Sequence, residues 1–426
     1  MFKNESEVLN WIHGFGQKGI NRNLKNLEDV LIKFGNPHLS LRTIHVAGTN
    51  GKGSTVAFLR EILMCANLRV GTFTSPFITC FGERMSIDGE AMSEADLVKY
   101  SNLLYMIIAD RNDLNFAAFD IITLISFLYF YHLDVDVVIY ETGIGGRLDS
   151  TNVILPLATA ITNVGHDHEE ILGNTQLERA MEKLGIVKKG IPLFTTETDE
   201  MLITEFEKVC FDKGASLILP LEESSLDNVV IDERGVKFDF GILKNLEIQM
   251  RGEHQLKNAI LACSIVEYLQ KSGVFKIDDK VIYEGLERTH WQGRFELIKA
   301  NPLVIIDGAH NIEGIVALTN TLQTIYKNKR KKFIIGILNN KDINGMLEPI
   351  SNIADHVYFT TFSHPNASKG SDLYSIYKKK QNASSDEDYS ELITNVVNSL
   401  ADDEMLIICG SLYFISEVRK EIHNQI

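Results

Sequence analysis

Cysteine is scarce in this chain. Five cysteines occur in 426 residues, and their odd number and the lack of any C-x-x-C pair fit neither a disulfide framework nor a zinc ribbon. A reducing cytosol fits this usage. The five are Cys65, Cys80, Cys210, Cys263 and Cys409.

Long apolar runs are also missing. The longest, such as IITLISFLYFY at 121–131, are too short to span a bilayer. The first residues, MFKNESEVLNWIHGFGQ, are polar where a signal peptide needs an apolar stretch. We therefore expect a cytoplasmic protein with no membrane partner.

Positive charge is in deficit, with 42 Lys and Arg against 57 Asp and Glu, a formal net charge of −15. Non-specific nucleic-acid binding needs clustered basic side chains, so we expect no nucleic-acid partner. A local positive site can still bind a small anion. The composition, 45% hydrophobic and 23% charged, is that of a globular protein, and the length predicts two domains.

Short apolar runs alternate with helix-length segments, which predicts an α/β fold with parallel sheets covered on both faces. Predicted strands lie at 41–47, 69–74, 134–141, 157–164 and 191–196, and a second series lies at 303–307, 332–338, 356–362 and 404–410. Residues 215–252 predict a small extra sheet between the two series. We place the domain boundary near 295–300, which divides the chain into residues 1–296 and 297–426.

Polar clusters follow the predicted strands in both halves of the chain. They are GTNGKGST, TSPF, ETGIGGRLDSTN, GHDH, DGAHN and CGSLYF. Because ligands of open parallel sheets bind at the carboxyl ends of the strands, this placement indicates functional residues in both domains.

The stretch HVAGTNGKGST at 45–55 is an altered form of the phosphate-binding pattern G-x-x-x-x-G-K-[ST]. Gly48 lies only three residues before Gly51, and Gly53 follows Lys52, so the hydroxyl moves to Ser54. Glycines let the backbone approach phosphate oxygens, and a helix beginning near Ser54 would present free N–H groups to them. The stretch predicts a nucleotide site without telling the reaction; the alternative is a glycine-rich turn before a helix.

Three residues at strand ends are candidate magnesium ligands. Glu141 ends the apolar run VDVVIYE, as a carboxylate beside a phosphate loop does, but it could also be a surface acid. Ser75 offers a hydroxyl in FTSPF, where a plain turn is the alternative. His168 follows a strand in GHDH, and His166 has the same setting, so either histidine could be structural or solvent-exposed instead.

Several of these stretches together resemble the folylpolyglutamate synthase/dihydrofolate synthase family of the Mur ligase superfamily. GTNGKGS has the form typical of that family, and Gly53 favours it over the peptidoglycan branch. TSPFITCFGER, GIGGRLDSTN, GEHQLKNA, WQGRFE, DGAHN and GSLYF match further family motifs, in family order, from about residue 10 to residue 420. The resemblance implies a P-loop parallel-sheet ATPase domain followed by a smaller Rossmann-like α/β domain.

The resemblance also implies roles for individual residues. Lys52, Lys183 and His310 would be catalytic. ATP would be bound by Gly48, Thr49, Asn50, Gly51, Lys52, Gly53, Ser54, Asn258, Arg294 and Asp307. Two magnesium ions would be held by Ser75, Glu141, His168 and Lys183, with Lys183 carbamylated. Folate would be bound by Arg84, Phe119, Asp120, Arg147, Leu148 and Asp149, and glutamate by His310 and Ser411.

The chain departs from the family pattern at a few positions. Gly82 stands where asparagine is common, so we expect a loosened or reshaped loop beside the folate site. Asp120 replaces a glutamate, Leu184 an alanine and Gln292 a proline.

The activity implied is the ATP-dependent addition of L-glutamate to the γ-carboxylate of tetrahydrofolate or its polyglutamates, through an acyl phosphate, with ADP and phosphate as products. Whether dihydropteroate is also a substrate stays open, and a monomer is expected. The alternative enzyme is a Mur-type peptidoglycan ligase, which usually carries a further domain before the phosphate loop, whereas only 44 residues precede His45. A P-loop GTPase and a non-enzymatic nucleotide-binding regulator are less consistent with the motifs.

Overall fold

The computed structural model describes residues 1–16, 24–111 and 114–425. The described chain divides into two compact units. Unit 1 comprises Met1–Asp227, Asp239–Leu246 and Lys257–Thr289, and unit 2 comprises Asn228–Phe238, Glu247–Leu256 and His290–Ile426. The predicted boundary between residues 296 and 297 stays a prediction.

The strands and helices alternate along the chain, as predicted for an α/β fold. The strands are β1 (Thr43–Ala47), β2 (Val70–Phe73), β3 (Met85–Ile87), β4 (Glu90–Ala91), β5 (Val137–Glu141), β6 (Ala158–Ile161), β7 (Leu193–Thr195), β8 (Leu217–Ile218), β9 (Leu226–Asp232), β10 (Gly235–Phe240), β11 (Leu243–Ile248), β12 (Glu296–Ala300), β13 (Leu303–Ile306), β14 (Arg330–Ile335), β15 (His356–Phe359), β16 (Ala383–Ser385) and β17 (Glu404–Cys409). The helices are α1 (Glu5–Gly16), α2 (Lys25–Lys33), α3 (Pro37–Ser40), α4 (Lys52–Cys65), α5 (Glu94–Ile108), α6 (Ala118–His132), α7 (Glu169–Leu172), α8 (Gln176–Leu184), α9 (Glu200–Lys213), α10 (Pro220–Glu223), α11 (Glu253–Lys271), α12 (Asp279–Arg288), α13 (Ile312–Ile325), α14 (Ile343–Ser351), α15 (Gly370–Ile376), α16 (Tyr389–Asn398) and α17 (Leu412–Gln425).

Unit 1 is built on an eight-stranded sheet in the order β4-β3-β2-β5-β1-β6-β7-β8. The strands from β2 to β8 in this order run parallel, and β3 and β4 are antiparallel additions at one edge. All residues of β1 and β5 are buried, because helices cover both faces of the sheet. In register, Val46 of β1 lies opposite Glu141 of β5 and Ala160 of β6.

Unit 2 contains a six-stranded sheet in the order β12-β13-β17-β14-β15-β16, parallel except for β12. Successive side chains of a strand point to opposite faces. Ile305 accordingly packs in one apolar core, whereas its neighbours Val304 and Ile306 pack in another. The sheet is therefore buried on both sides, as a parallel sheet requires.

The fold class predicted from the sequence is confirmed. Each predicted strand is present and is shorter at one or both ends, except that β14 begins at Arg330, before the predicted start at residue 332. The extra sheet predicted within 215–252 is a three-stranded sheet in the order β11-β10-β9. Two details differ from the expectation. Helix α4 begins at Lys52 rather than near Ser54, and residues 296–300 form β12, which pairs with β13. In the described part of the chain, no helix is long and apolar enough to cross a membrane.

Candidate functional site

The phosphate loop connects β1, which lies between β5 and β6 in the sheet, to α4. Gly48 and Gly51 have φ angles of 149° and 85°. A Cβ atom at Gly48 would collide with the side chain of Thr162, and one at Gly51 with the side-chain amide of Asn258. Glycine is therefore required at both positions, and the structure brings Asn258, a predicted ATP contact, against the loop.

The segment after β6 braces the first half of this loop. The backbone N–H of Thr49 donates to the Asn163 carbonyl at 3.1 Å, and that of Asn50 donates to Asn163 Oδ1 at 3.0 Å. The Asn50 carbonyl accepts from Asn163 Nδ2 at 3.0 Å and from Thr162 Oγ1 at 2.5 Å. Because these N–H groups are taken, the donors left for phosphate lie at residues 51–54, at the N-terminus of α4.

Thr162 and Asn163 were not predicted as site residues. The available signal was a polar pair at the end of the apolar run LATAIT, but the sequence does not tell which strand lies beside β1. The brace depends on the pairing of β1 with β6.

Lys52, Glu141 and Ser75 come together at the carboxyl ends of three adjacent strands. Lys52 Nζ donates to the carbonyls of Gly48 and Thr49 at 3.0 and 3.1 Å, and it lies 3.9 Å from Glu141 Oε1. The Ser75 backbone N–H donates to Glu141 Oε2 at 3.3 Å. Glu141 is only 4% exposed, so the lysine and the carboxylate interact with little screening by water.

The donor set at this point fits magnesium. A buried carboxylate beside a hydroxyl residue supplies oxygen ligands, and Mg²⁺ is commonly bound by one or two carboxylates plus substrate phosphates. In the described part of the chain, no three His, Cys, Asp or Glu side chains are grouped to hold a metal ion.

His168 lies in the loop that follows β6. It precedes α7 with a left-handed backbone, φ 52°, and its Nε2 lies 3.8 Å from Asp167 Oδ2. The His168 side chain is 34% exposed, and His166 is exposed. A magnesium-binding role for His168 stays a prediction.

Lys183 is buried near the end of α8, with 2% of its surface exposed. Burial, followed by the positive charge of Lys52, lowers the pKa of Lys183 to about 7, and the charge of Asp167 opposes this. The structure thus places Lys183 within electrostatic reach of the phosphate loop, with a large neutral fraction at neutral pH.

Both carboxylate oxygens of Asp149 accept hydrogen bonds from nearby residues of the same loop. Its Oδ2 accepts from the N–H groups of Gly143 and Ile144 at 2.8 and 3.1 Å, and its Oδ1 accepts from Thr151 N and Oγ1 at 3.0 and 2.5 Å. Burial raises its pKa, and these hydrogen bonds act in the opposite direction. Asp149 closes the loop 143–151, a shaping role that was not foreseen, and its direct contact with a pterin stays a prediction.

The Asp120 carboxylate also accepts hydrogen bonds from within the chain. It is 2% exposed, and it accepts from the Ala117 N–H at 2.7 Å at the start of α6 and from Ser150 Oγ at 2.6 Å. The bond to Ser150 joins α6 to the loop that Asp149 closes. A direct folate contact by Asp120 also stays a prediction.

The remaining predicted folate residues lie in two places. Arg84 lies over the rings of Phe77 and Phe81, 5.4 and 5.8 Å from their centroids. The exposed Arg147 pairs with Glu182 at 2.7 Å. Phe119 lies 5.6 Å from the Phe73 ring, and Leu148 is partly buried.

Gly82 is packed, not loose. A Cβ atom on it would collide with the Met92 carbonyl oxygen, and the Met92 N–H donates to the Gly82 carbonyl at 3.1 Å. A side chain such as asparagine would not fit at this close approach, and whether the loop differs in shape from that of relatives stays a prediction.

In unit 2, Asp307, His310 and Ser411 follow the adjacent strands β13 and β17. Asp307 accepts from the N–H groups of Phe295 and Ala309 at 2.7 and 2.8 Å. The Gly410 N–H donates to the Ala309 carbonyl at 3.0 Å, which joins the two loops. Burial raises the pKa of Asp307, against the opposing charge of Arg294, and His310 Nδ1 lies 2.8 Å from the Gly308 carbonyl.

Arg294 has a second neighbour that was not predicted. Burial and the charge of Arg294 lower the pKa of His254 to about 4, so His254 is neutral at physiological pH. A Cβ atom at Gly308 would lie 3.2 Å from Arg294 Nη1. The predicted ATP residues Arg294 and Asp307 therefore form one charged group in unit 2.

Residues 46–266 match the Mur ligase middle domain, and residues 293–412 match the Mur ligase glutamate ligase domain. The dihydrofolate synthase/folylpolyglutamate synthase of Bacillus subtilis is 36% identical, with 99% of this chain and 100% of that protein covered. The folylpolyglutamate synthase of Lacticaseibacillus casei is 31% identical, with coverage of 98% and 99%.

Solved structures resemble the fold over its full length. The Mycobacterium tuberculosis folylpolyglutamate synthase complexed with ADP superposes with a TM-score of 0.91 at 26% identity, and 98% of each chain is covered. The likeness therefore includes both units, not the phosphate loop alone.

Proposed function

Since the chain belongs to the folylpolyglutamate synthase/dihydrofolate synthase family of the Mur ligase superfamily, we propose that it joins L-glutamate to the γ-carboxylate of tetrahydrofolate or its polyglutamates. It is an ATP-dependent ligase. The observation that carries the proposal at the level of residues is the buried Glu141 beside Lys52 and Ser75, at the end of a phosphate loop.

ATP is needed because a carboxylate does not react with an amine at neutral pH. A γ-carboxylate oxygen attacks the γ-phosphorus, the bond to the bridging oxygen breaks, and ADP leaves. The α-amine of glutamate then attacks the acyl carbon, phosphate leaves with the electron pair, and the nitrogen loses a proton. The protein orients the reactants and excludes water that would hydrolyse the acyl phosphate.

Lys52 would neutralise charge on the transferring phosphoryl group. The N–H groups at residues 51–54 would hold phosphate oxygens, and Asn258, Arg294 and Asp307 would contribute further ATP contacts. Ser75, Glu141 and His168 would hold magnesium, which when bound offsets the negative charge of the phosphates. Glu141 is buried and lies 3.9 Å from Lys52 Nζ, so its carboxylate is beside the phosphate loop, where this role requires it.

We assign a carbamate to Lys183. A neutral amine adds carbon dioxide to give an anionic carbamate and releases one proton. The burial of Lys183 and its pKa of about 7 support this, because much of the amine is neutral at physiological pH. The new carboxylate would help to hold a second magnesium ion. Extra electron density on Nζ in a crystal structure supports the assignment; a bare ammonium facing solvent contradicts it.

Folate is assigned to residues near the loop 143–151 and the Gly82 loop: Arg84, Phe119, Asp120, Arg147, Leu148 and Asp149. Glutamate is assigned to His310 and Ser411, which lie on joined loops in unit 2. ATP and folate binding are assigned chiefly to residues 1–296 and glutamate binding to residues 297–426. A monomeric, cytoplasmic enzyme stays a prediction.

The deciding experiment incubates purified protein with MgATP, L-glutamate and tetrahydrofolate. Formation of a γ-glutamyl product together with phosphate release that needs both folate and glutamate supports the proposal. Replacing tetrahydrofolate by dihydropteroate tests whether the first glutamate is also added. Turnover of a peptidoglycan precursor instead of folate would favour the alternative Mur-type ligase.

A further inference from the structure

Arg179 is a fully buried cation that the mechanism above does not use. It is 1% exposed and lies on α8, one turn before Lys183. Its ionic partner is Glu169, 3.6 Å away and 46% exposed. Burying a charged guanidinium is costly, so its contacts require an explanation.

The guanidinium holds both ends of one loop. We call residues 165–174, between β6 and α8, the histidine loop, because it carries His168. Arg179 Nε donates to the Gly165 carbonyl at 2.9 Å, at the start of the loop. Nη1 donates to the carbonyls of Gly173 and Asn174 at 3.3 and 3.1 Å, at its end. A planar guanidinium reaches both ends at once, which a single ammonium cannot do.

The same loop is tied to the phosphate loop at the point where Arg179 binds. The Gly165 N–H donates to Thr49 Oγ1 at 2.9 Å, and Thr49 Oγ1 lies 3.4 Å from the Gly165 carbonyl oxygen. Gly165 therefore touches Arg179 on one side and the phosphate loop on the other. His168 follows three residues later, in a left-handed conformation that a free loop would rarely keep.

We propose that Arg179 is a positioning residue for the divalent-cation site: it clamps the histidine loop and, through Gly165, fixes the position of that loop relative to the phosphate loop. This rests on the proposed function, in which His168 is a cation ligand. Residues that orient ligands in this way typically contribute ~10- to 100-fold to metal affinity or activity.

The test compares two variants. Arg179→Met fills the space without hydrogen-bond donors, and Arg179→Lys keeps the positive charge but lacks the planar guanidinium that reaches both ends of the loop. Phe206→Leu is the matched control, because Phe206 is buried in the same apolar core as Ala180 and Leu184 and has no polar group. Mn²⁺ is titrated into each full-length variant in the presence of ADP and followed by EPR. Hydrogen exchange over residues 165–174 and thermal unfolding are measured in parallel.

We expect both Arg179 variants to bind Mn²⁺ ~10- to 100-fold more weakly and to exchange faster over the histidine loop. Phe206→Leu should lower the unfolding temperature with Mn²⁺ affinity unchanged. The KM for folate should stay within about twofold of wild type in the Arg179 variants, whereas the Mg²⁺ concentration for half-maximal activity should rise.

Wild-type Mn²⁺ affinity in either folded Arg179 variant would overturn the proposal, as would equal weakening in Phe206→Leu. If Arg179→Met does not fold, Arg179→Lys alone decides. The outcome for Arg179 can be told apart from the outcome for the proposed function, because Mn²⁺ binding and hydrogen exchange need no folate turnover. A wild-type protein without ligase activity, but with the expected effects in the Arg179 variants, would contradict the proposed function and still support the positioning role of Arg179.

Discussion

Lys52 has two tasks that can be told apart by mutation. Its Nζ closes the phosphate loop through the carbonyls of Gly48 and Thr49, and its charge lies 3.9 Å from Glu141. We expect Lys52→Ala to lower folate-dependent phosphate release by on the order of 10²–10³-fold, because the transferring phosphoryl group loses its positive partner. Phosphate release is measured with saturating folate and glutamate.

Thermal unfolding controls for the lost loop bonds, since Lys52→Ala should unfold within a few degrees of wild type. Lys52→Arg keeps the charge and should retain more activity than Lys52→Ala. Near-wild-type phosphate release in Lys52→Ala would remove Lys52 from the mechanism.

Gly82 gives a prediction about stability. The space of its missing Cβ is filled by the backbone carbonyl of Met92, which cannot move without shifting the chain. We expect Gly82→Ala to lower the free energy of unfolding by ~1–3 kcal/mol, as overpacking does. Urea denaturation measures this free energy of unfolding. Gly14→Ala is the matched control, because nothing lies within 4 Å of that Cβ position and alanine favours a helix; equal stability of the two variants would show that the Gly82 contact is not tight.

Asp149 and Asp120 show where residue-level inference from the sequence stops. Their types and spacing marked a functional loop, but a motif does not tell which donors a carboxylate accepts from. In the structure both carboxylates accept hydrogen bonds from backbone N–H groups and hydroxyl groups of the same chain. Such bonds depend on the folded path of the loop, which the letters GGRLDSTN do not fix.

The brace between the β6 end and the phosphate loop is a property of two neighbouring elements. Asn163 exchanges a pair of hydrogen bonds with the backbone of Asn50. Two such bonds contribute roughly 1 kcal/mol each, and 1.4 kcal/mol is a tenfold change in affinity. We expect Asn163→Ala to raise the KM for ATP and the Kd for ADP by roughly tenfold or more, with the KM for glutamate unchanged.

Calorimetric titration with ADP gives the Kd, and steady-state kinetics gives each KM. Asn26→Ala is the control, since Asn26 makes a comparable exposed bond to the Asn115 carbonyl outside the site. An unchanged ADP affinity in Asn163→Ala would mean that the loop keeps its shape without the brace.

The elements themselves were largely predictable, and their ends were not. Apolar runs marked every strand that positions the site, because fully buried parallel strands are continuously apolar. Helix α4 begins two residues before the predicted start, since Gly51 adopts the left-handed conformation at which the helix starts. The position is also closed to a side chain by Asn258, which is far away in the sequence.

Strand order explains why the site lies where it does, and a single sequence does not reveal it. In unit 1, β1 lies between β5 and β6, so chain segments following all three strands meet beside the phosphate loop. In unit 2, β17 lies between β13 and β14 and brings Ser411 beside the Asp307 loop. Both placements are switch points of open sheets, where ligands bind. The polar clusters were visible in the sequence; which clusters are neighbours was not.

Neutral histidines in both units, buried at His38 and His45 and partly buried at His254, predict how the whole chain responds to acid. Burial lowers the pKa of His38 to about 4, of His45 to about 3 and of His254 to about 4. Below pH 6.5 the unfolded chain takes up protons at these residues and the folded chain does not. The contribution of the neutral histidines to the free energy of unfolding is therefore fully present above pH 6.5 and is lost as pH falls toward 4. We expect the free energy of unfolding to decline steeply over that range.

Urea denaturation at pH 7.5, 6.0 and 5.0 measures the slope, and His45→Gln tests its origin. Glutamine does not titrate, and it can donate to Thr151 Oγ1, which His45 Nε2 contacts at 2.7 Å. The variant should therefore lose less stability on acidification, by at most about 1.4 kcal/mol per pH unit. His13→Gln, at an exposed position on α1, should leave the slope unchanged. An identical slope in wild type and His45→Gln would place the acid sensitivity in the carboxylates instead, because the histidine contribution would then be absent.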